Sequence, residues 1–240
     1  MHAQWLNYPN ARHSTYKGRR KPNLTAPAPR TADGRPDLSG VWHAADAAGW
    51  RDEASVRRRC LTPLPCPGWS RTPSSKYAIN IFVDFKAEDV SIRPEAAAIL
   101  RGAADEHNRG SFRHYCLPAG IPLATLVSEL TKIVQTPSLT LIWLELDSAM
   151  RQIYTDGRPH PVNRNPSWLG YSIGKVRTRT RWSSDTVGFN DKTWLDAFGH
   201  PHSEAMRVVE RYRRRDFGHM DVEITIDDPQ ICTEAPSPSR

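Results

Sequence analysis

The stretch "LTKIVQTPSLTLIWLELDSAMRQIYTD" (130–156) decides the fold. Its first part, 130–137, mixes β-branched and polar residues, and a Pro-Ser break separates it from the apolar run 139–146. After "DSA" a third short run, 150–156, begins at hairpin spacing. Three short strands joined by tight turns predict an antiparallel meander or barrel rather than a parallel α/β sheet.

The same reading extends toward the C-terminus. "DGRP" (156–159) is a turn, and 169–182 alternates only in part. "AMRVVERYR" (205–213) and "HMDVEITIDD" (219–228) alternate well and are joined at hairpin spacing. On the latter strand Met220, Val222, Ile224 and Ile226 form the apolar face, and His219 points outward. Upstream, "RPEAAAILRGAADEH" predicts one short helix at about 94–106, with Pro94 at the first helical position and Glu95 on the positive helix end. Residues 43–75 read as irregular, because "CLTPLPCPGW" blocks any regular element. The expected architecture is mainly β: an antiparallel lipocalin-like β-barrel or meander with one short helix and long Pro-rich loops. Its expected division is an extended or disordered arm over 1–38, a single barrel-like domain over 39–228 and a disordered tail over 229–240.

Composition bounds the function. The 240 residues suit one domain of moderate size, and 20 prolines against 14 glycines suit long ordered loops. A net charge of +7 favours anionic partners in general. The basic residues are spread along the chain, with no recognition helix, zinc-finger spacing or aromatic RNA-binding signature, so no specific nucleic-acid partner is expected. Cysteines 60, 66, 116 and 232 make no CxxC pair; Cys60 and Cys66 suit a disulfide in an oxidising compartment, and equally suit free thiols. No apolar run approaches the roughly 18 residues of a membrane span, and no signal peptide opens the chain as written.

"LSGVW" (38–42) resembles the opening strand of lipocalin-like (calycin) barrels. In those barrels a Trp closes one end and an Arg from a late strand packs on it; here Trp42 and either Arg211 or Arg213 would play those parts. Longer stretches, "TADGRPDLSGVW", "KIVQTP", "RQIYTDGRPHP", "NPSWLGYSIGK" and 187–229, are together similar to an uncharacterised family of bacterial hypothetical secreted proteins. The resemblance implies a fold and periplasmic or secreted localisation, and no reaction. It departs from the family pattern at 176–185 and after "TIDDP", and an inactive, degenerate relative is one reading of those departures.

The candidate site residues cluster in "GHPHSEAMRVVERY" (199–212). If 200–212 is one strand, His200, His202, Glu204, Met206, Val208, Glu210 and Tyr212 share a face. His200, His202 and Glu204 then make a two-His-one-carboxylate set for a divalent metal. His202 with Glu204 or Glu210 makes a cofactor-free acid–base pair for a lyase, isomerase or hydrolase. Pro201, which lacks a strand donor, argues instead for a turn over 199–202. Arg158 and His160 in the "DGRPHP" turn suit an anionic group. Trp168, Tyr171, Asn190, Asp191 and Trp194, with Tyr212, complete a candidate binding surface. The expected ligand is a small molecule, partly apolar or aromatic. No nucleophile elbow, phosphate loop, dinucleotide fingerprint or HExxH appears.

Overall fold

A computed structural model describes residues 23–43, 78, 80–83, 92–105, 116–127, 129–163, 165–178 and 181–232. Among the described residues eight strands form one sheet in sequence order. They are β1 (Gly40–His43), β2 (Leu130–Gln135), β3 (Leu139–Leu144), β4 (Met150–Tyr154), β5 (Tyr171–Val176), β6 (Arg181–Val187), β7 (Arg207–Arg214) and β8 (Met220–Asp227). The sheet curls into a half-barrel, so the expected mainly-β architecture holds. The predicted helix is present as α1 (Pro94–Asp105), and a single turn, α2 (Leu123–Leu126), precedes β2.

Every neighbouring pair is antiparallel except β4 and β5, which run parallel through Ile153↔Ser172 and Tyr154↔Ile173. A parallel pair needs a crossover rather than a hairpin. The connection between Tyr154 and Tyr171 supplies it. The "DGRP" turn opens this crossover as expected: the Arg158 amide donates to Asp156 Oδ1 at 3.2 Å.

Strand parity sorts the two faces. Inward lie Ile133, Ile142, Leu144, Ile153, Trp182, Val208 and Tyr212, which form one cluster with Leu38, Ile121, Leu123, Phe189, Leu195 and Met206 from the connections. Met220, Ile224 and Ile226 of β8 pack against the same cluster. His219 is exposed, as its parity requires.

Trp42 of β1 is capped by Arg214 at the end of β7, with the guanidinium 4.8 Å from the ring centre. The expected partners, Arg211 and Arg213, point the other way. Arg214 shares its parity with Glu210 and Tyr212 on the inner face, where Trp42 also lies, so only an even-numbered arginine can reach it. Arg214 also donates to the carbonyls of Asp37 and Phe217, and the Trp42 indole N–H donates to Leu38 O at 2.9 Å.

The described part of the N-terminal arm turns at 23–26 and again at 31–34, where Arg30 bridges back to Pro36, and it is held in place. Gly218 and Phe217 donate backbone hydrogen bonds to Leu24 O and Ala26 O, at 2.7 and 2.8 Å. Leu38 is fully buried. At the other end Ile231 is buried and its carbonyl accepts from the Arg93 amide at 2.9 Å, which ties the chain beyond β8 to α1. The expectations for 1–22, for 44–77 with the Cys60/Cys66 pair, and for 233–240 lie outside the described residues. No helix among the described residues is long and apolar enough to cross a membrane.

Candidate functional site

The stretch 199–212 is not one strand. β7 begins at Arg207, and 188–206 form the connection from β6. Pro201 lies in an isolated bridge with Trp194 inside this connection. Parity therefore holds from Met206 onward, where Met206, Val208, Glu210 and Tyr212 are all buried, and fails before it.

The failure separates the proposed ligand set. His200 Nδ1 lies 2.6 Å from Asp196 Oδ2. His202 Nε2 lies 2.8 Å from Thr193 Oγ1. Glu204 is exposed in the turn before β7. The His200, His202 and Glu204 triad is not assembled, and among the described residues no group of three His, Cys, Asp or Glu side chains gathers around a common point. His202 meets neither Glu204 nor Glu210, so the acid–base pairings built on it are not assembled either.

Asp196 is the anchor of the connection. It is fully buried, and its carboxylate accepts from the amides of Ile81 at 2.7 Å, Phe198 at 2.9 Å and His200 at 3.3 Å. With Nδ1 facing that carboxylate, an Nδ1–H donates to Asp196 and Nε2 is left on the far side of the ring. No hydrogen bond to Nε2 is formed among the described residues, and the side chain keeps 10% of its surface. Phe82 meets the ring edge-on at 4.9 Å and Phe198 stacks on it at 6.4 Å. The arrangement is a carboxylate-oriented imidazole between aromatic rings.

His202 is of a different kind. Burial lowers its pKa, against the opposing pull of the Ser203 carbonyl and the Asp228 and Asp191 carboxylates. A neutral ring donating from Nδ1 to Ser203 O accepts the Thr193 hydroxyl at Nε2. Gly120 packs so closely on Thr193 that an added Cβ would lie 2.4 Å from its hydroxyl oxygen. His202 is thus a core histidine with both nitrogens engaged.

Glu210 lies inside the sheet, fully buried and paired with Arg151 of β4. Nη2 reaches Oε2 at 2.6 Å and Nη1 reaches Oε1 at 3.0 Å, a bidentate geometry. Ser184 donates to Glu210 Oε2 at 2.6 Å and Tyr212 to Oε1 at 3.1 Å. Arg151 Nε donates to Ser172 Oγ at 3.1 Å and Nη2 to Thr186 Oγ1 at 2.7 Å. Burial alone would raise the Glu210 pKa; the Arg151 charge and the donated hydrogen bonds outweigh it and hold the carboxyl below its ordinary value. Burial and the Glu210 charge push the Tyr212 phenol well above its own. Arg151, Ser172, Ser184 and Thr186 escaped the sequence reading. Their signal was parity: each falls on the inner face of its strand, and a buried arginine requires a buried acid.

The predicted binding residues fall into separate groups. Tyr171 stacks on Tyr154 at 5.2 Å, Arg158 lies 4.0 Å over Tyr154, and His160 meets Tyr171 edge-on. His160 Nε2 is 3.6 Å from Asp185 Oδ1, and Asp185 is clasped by Arg207, whose hydrogen bonds lower its pKa. Arg158 is engaged with Asp156 at 2.6 Å. Trp168 is half-buried near Gly120, and Trp194 packs against the core. Asn190 Oδ1 accepts from the Lys192 amide at 3.2 Å, and Asp191 is exposed. No protein-family model, no curated protein and no solved structure matches the chain.

Proposed function

We propose that the chain binds a small, partly aromatic molecule in the β6–β7 connection, beside Asp196 and His200, and that His200 exchanges a proton with it. The observation that carries this reading is the Asp196–His200 pair at 2.6 Å, with Nε2 unbonded among the described residues and Phe82 and Phe198 on the ring. A buried carboxylate on Nδ1 fixes the imidazole and stabilises the imidazolium that forms when Nε2 takes a proton. The flanking rings favour an apolar or aromatic body on the ligand. The Trp42–Arg214 pair supports a lipocalin-like reading of the half-barrel.

Imidazole ¹⁵N spectra during titration with a panel of small aromatic acids, amides and esters test the proposal. A ligand that shifts the His200 Nε2 signal, and whose binding weakens at least tenfold in His200→Gln, supports the site. Loss of any turnover in Asp196→Asn, with binding retained, supports the proton transfer. If every ligand found binds His200→Gln as well as the parent, the reading is wrong.

A further inference from the structure

The outer face of β5–β7 gathers cations in two rows. Lys175, Ser183, Arg211 and Glu223 are aligned across β5–β8. In the next row Arg181, Arg213 and Asp221 are aligned, and the Arg177 amide bonds to Arg181 O at 2.9 Å, which places Arg177 beside Arg181. Arg215 follows Arg213 on the same side of the chain. Neighbours across strands stand about 4.8 Å apart and alternate residues along a strand about 6.7 Å. Six exposed cations meet two acids: Glu223 pairs with Arg211 at 3.3 Å and Asp221 with Arg215 at 3.3 Å. Among the described residues Lys175, Arg181 and Arg213 form no ion pair.

Like charges directly opposite one another on a sheet destabilise it. Arg181 and Arg213 stand directly opposite one another, with Arg177, whose Nε donates to Ser183 Oγ at 3.0 Å, beside them, so the face is worth more to the chain when an anion sits on it. We propose that this face docks on the surface of an anionic lipid bilayer. The cations form a two-dimensional array spread over three strands, which suits a plane of headgroups better than a single extended polyanion. Basic residues held near an acidic bilayer surface are each attracted to it, and clusters of this size are the ones that recognise acidic headgroups. The face lies on the opposite side of the sheet from the buried Arg151–Glu210 network, so docking does not disturb it.

Co-sedimentation of the full chain with vesicles tests this. Vesicles of about three parts phosphatidylcholine to one of phosphatidylglycerol should take up the protein at low salt, and phosphatidylcholine vesicles should not. Raising the salt to about 0.5 M, where screening shortens the field to a few ångströms, should release it. The double variant Arg181→Glu/Arg213→Glu should partition at least tenfold less, with an unchanged circular dichroism spectrum. Arg101→Glu/Lys132→Glu, equal in charge change and placed on α1 and β2, should partition as the parent does. Equal loss in both variants would reduce the effect to net charge and overturn the proposal. So would equal uptake by the neutral vesicles, or displacement of bound protein by single-stranded DNA at lower concentration than by phosphatidylglycerol vesicles.

Discussion

Arg151 and Glu210, 59 positions apart in the chain, meet bidentately inside the sheet with neither exposed by more than 2% of its side chain. The pair spans β4 to β7, and its remaining polar atoms are met by Ser172, Ser184, Thr186 and Tyr212. Isolating either charge in this interior is costly, whereas removing both is much less so.

Glu210→Leu or Arg151→Met alone should therefore destabilise the fold by about 3–5 kcal/mol. The double replacement should recover more than half of that loss. Urea unfolding followed by tryptophan fluorescence measures both, and additive losses in the double variant would contradict the pairing.

The acid limb of stability follows from the same pair. The folded-state pKa of Glu210 lies below its unfolded value, so the folded protein holds the carboxylate where the unfolded chain is already protonating. That stability is complete above the unfolded pKa of about 4.3 and is lost as pH falls through the folded value. Glu210→Gln should flatten the decline of unfolding free energy below about pH 4, read from urea midpoints across the acid range.

Arg214 joins β1, the N-terminal arm and the β7–β8 turn through Trp42, Asp37 O and Phe217 O. Arg214→Ala should cost about 2–3 kcal/mol, from hydrogen bonds of about 1 kcal/mol each and the ring contact. Limited proteolysis should then cut within residues 23–39 of the variant, while the parent resists; equal resistance would show that the arm is held without it.

Gly120→Ala should cost about 1–3 kcal/mol, because the new methyl group meets the Thr193 hydroxyl at 2.4 Å and the Trp168 carbonyl at 3.3 Å. Thr193→Ala in the same chain should relieve part of it. Thermal unfolding of the single and double variants reads the coupling, and no relief would place the strain elsewhere.

The strands over 130–156 and 207–227 were legible because alternation there answers to one buried face, as in Val208, Glu210 and Tyr212; the division of 169–187 into β5 and β6 was not, because alternation there is only partial. The helix at 94–105 was legible from its start chemistry and alanine run. The β4–β5 pairing was hidden, since nothing local distinguishes a strand that will lie parallel to its neighbour from one that will not. Arg151 was hidden for a related reason: its partner is 59 residues away. The His200 pairing lay inside the stretch already singled out, but Pro201 broke the register by which 199–206 could have been sorted into faces. Asp196, four residues before His200, was the acid to notice; helical spacing was not expected in a connection between strands.

The parallel seam between β4 and β5 divides the sheet into two consecutive meanders, β1–β4 and β5–β8, joined there by only two registered residue pairs. Within them β2–β4, β5–β6 and β7–β8 are joined by short turns and can pair early, whereas β1 reaches β2 only across residues 44–129. Yet the first carries Arg151 and the second carries Glu210, so a half that formed alone would strand a charge against a greasy face. The ion pair thus couples the two halves, and their unfolding is expected to be a single event. Emission from Trp143 in the first meander and Trp182 in the second, isolated by single-tryptophan variants, should fall in one shared transition; two separated transitions would show that the halves melt independently.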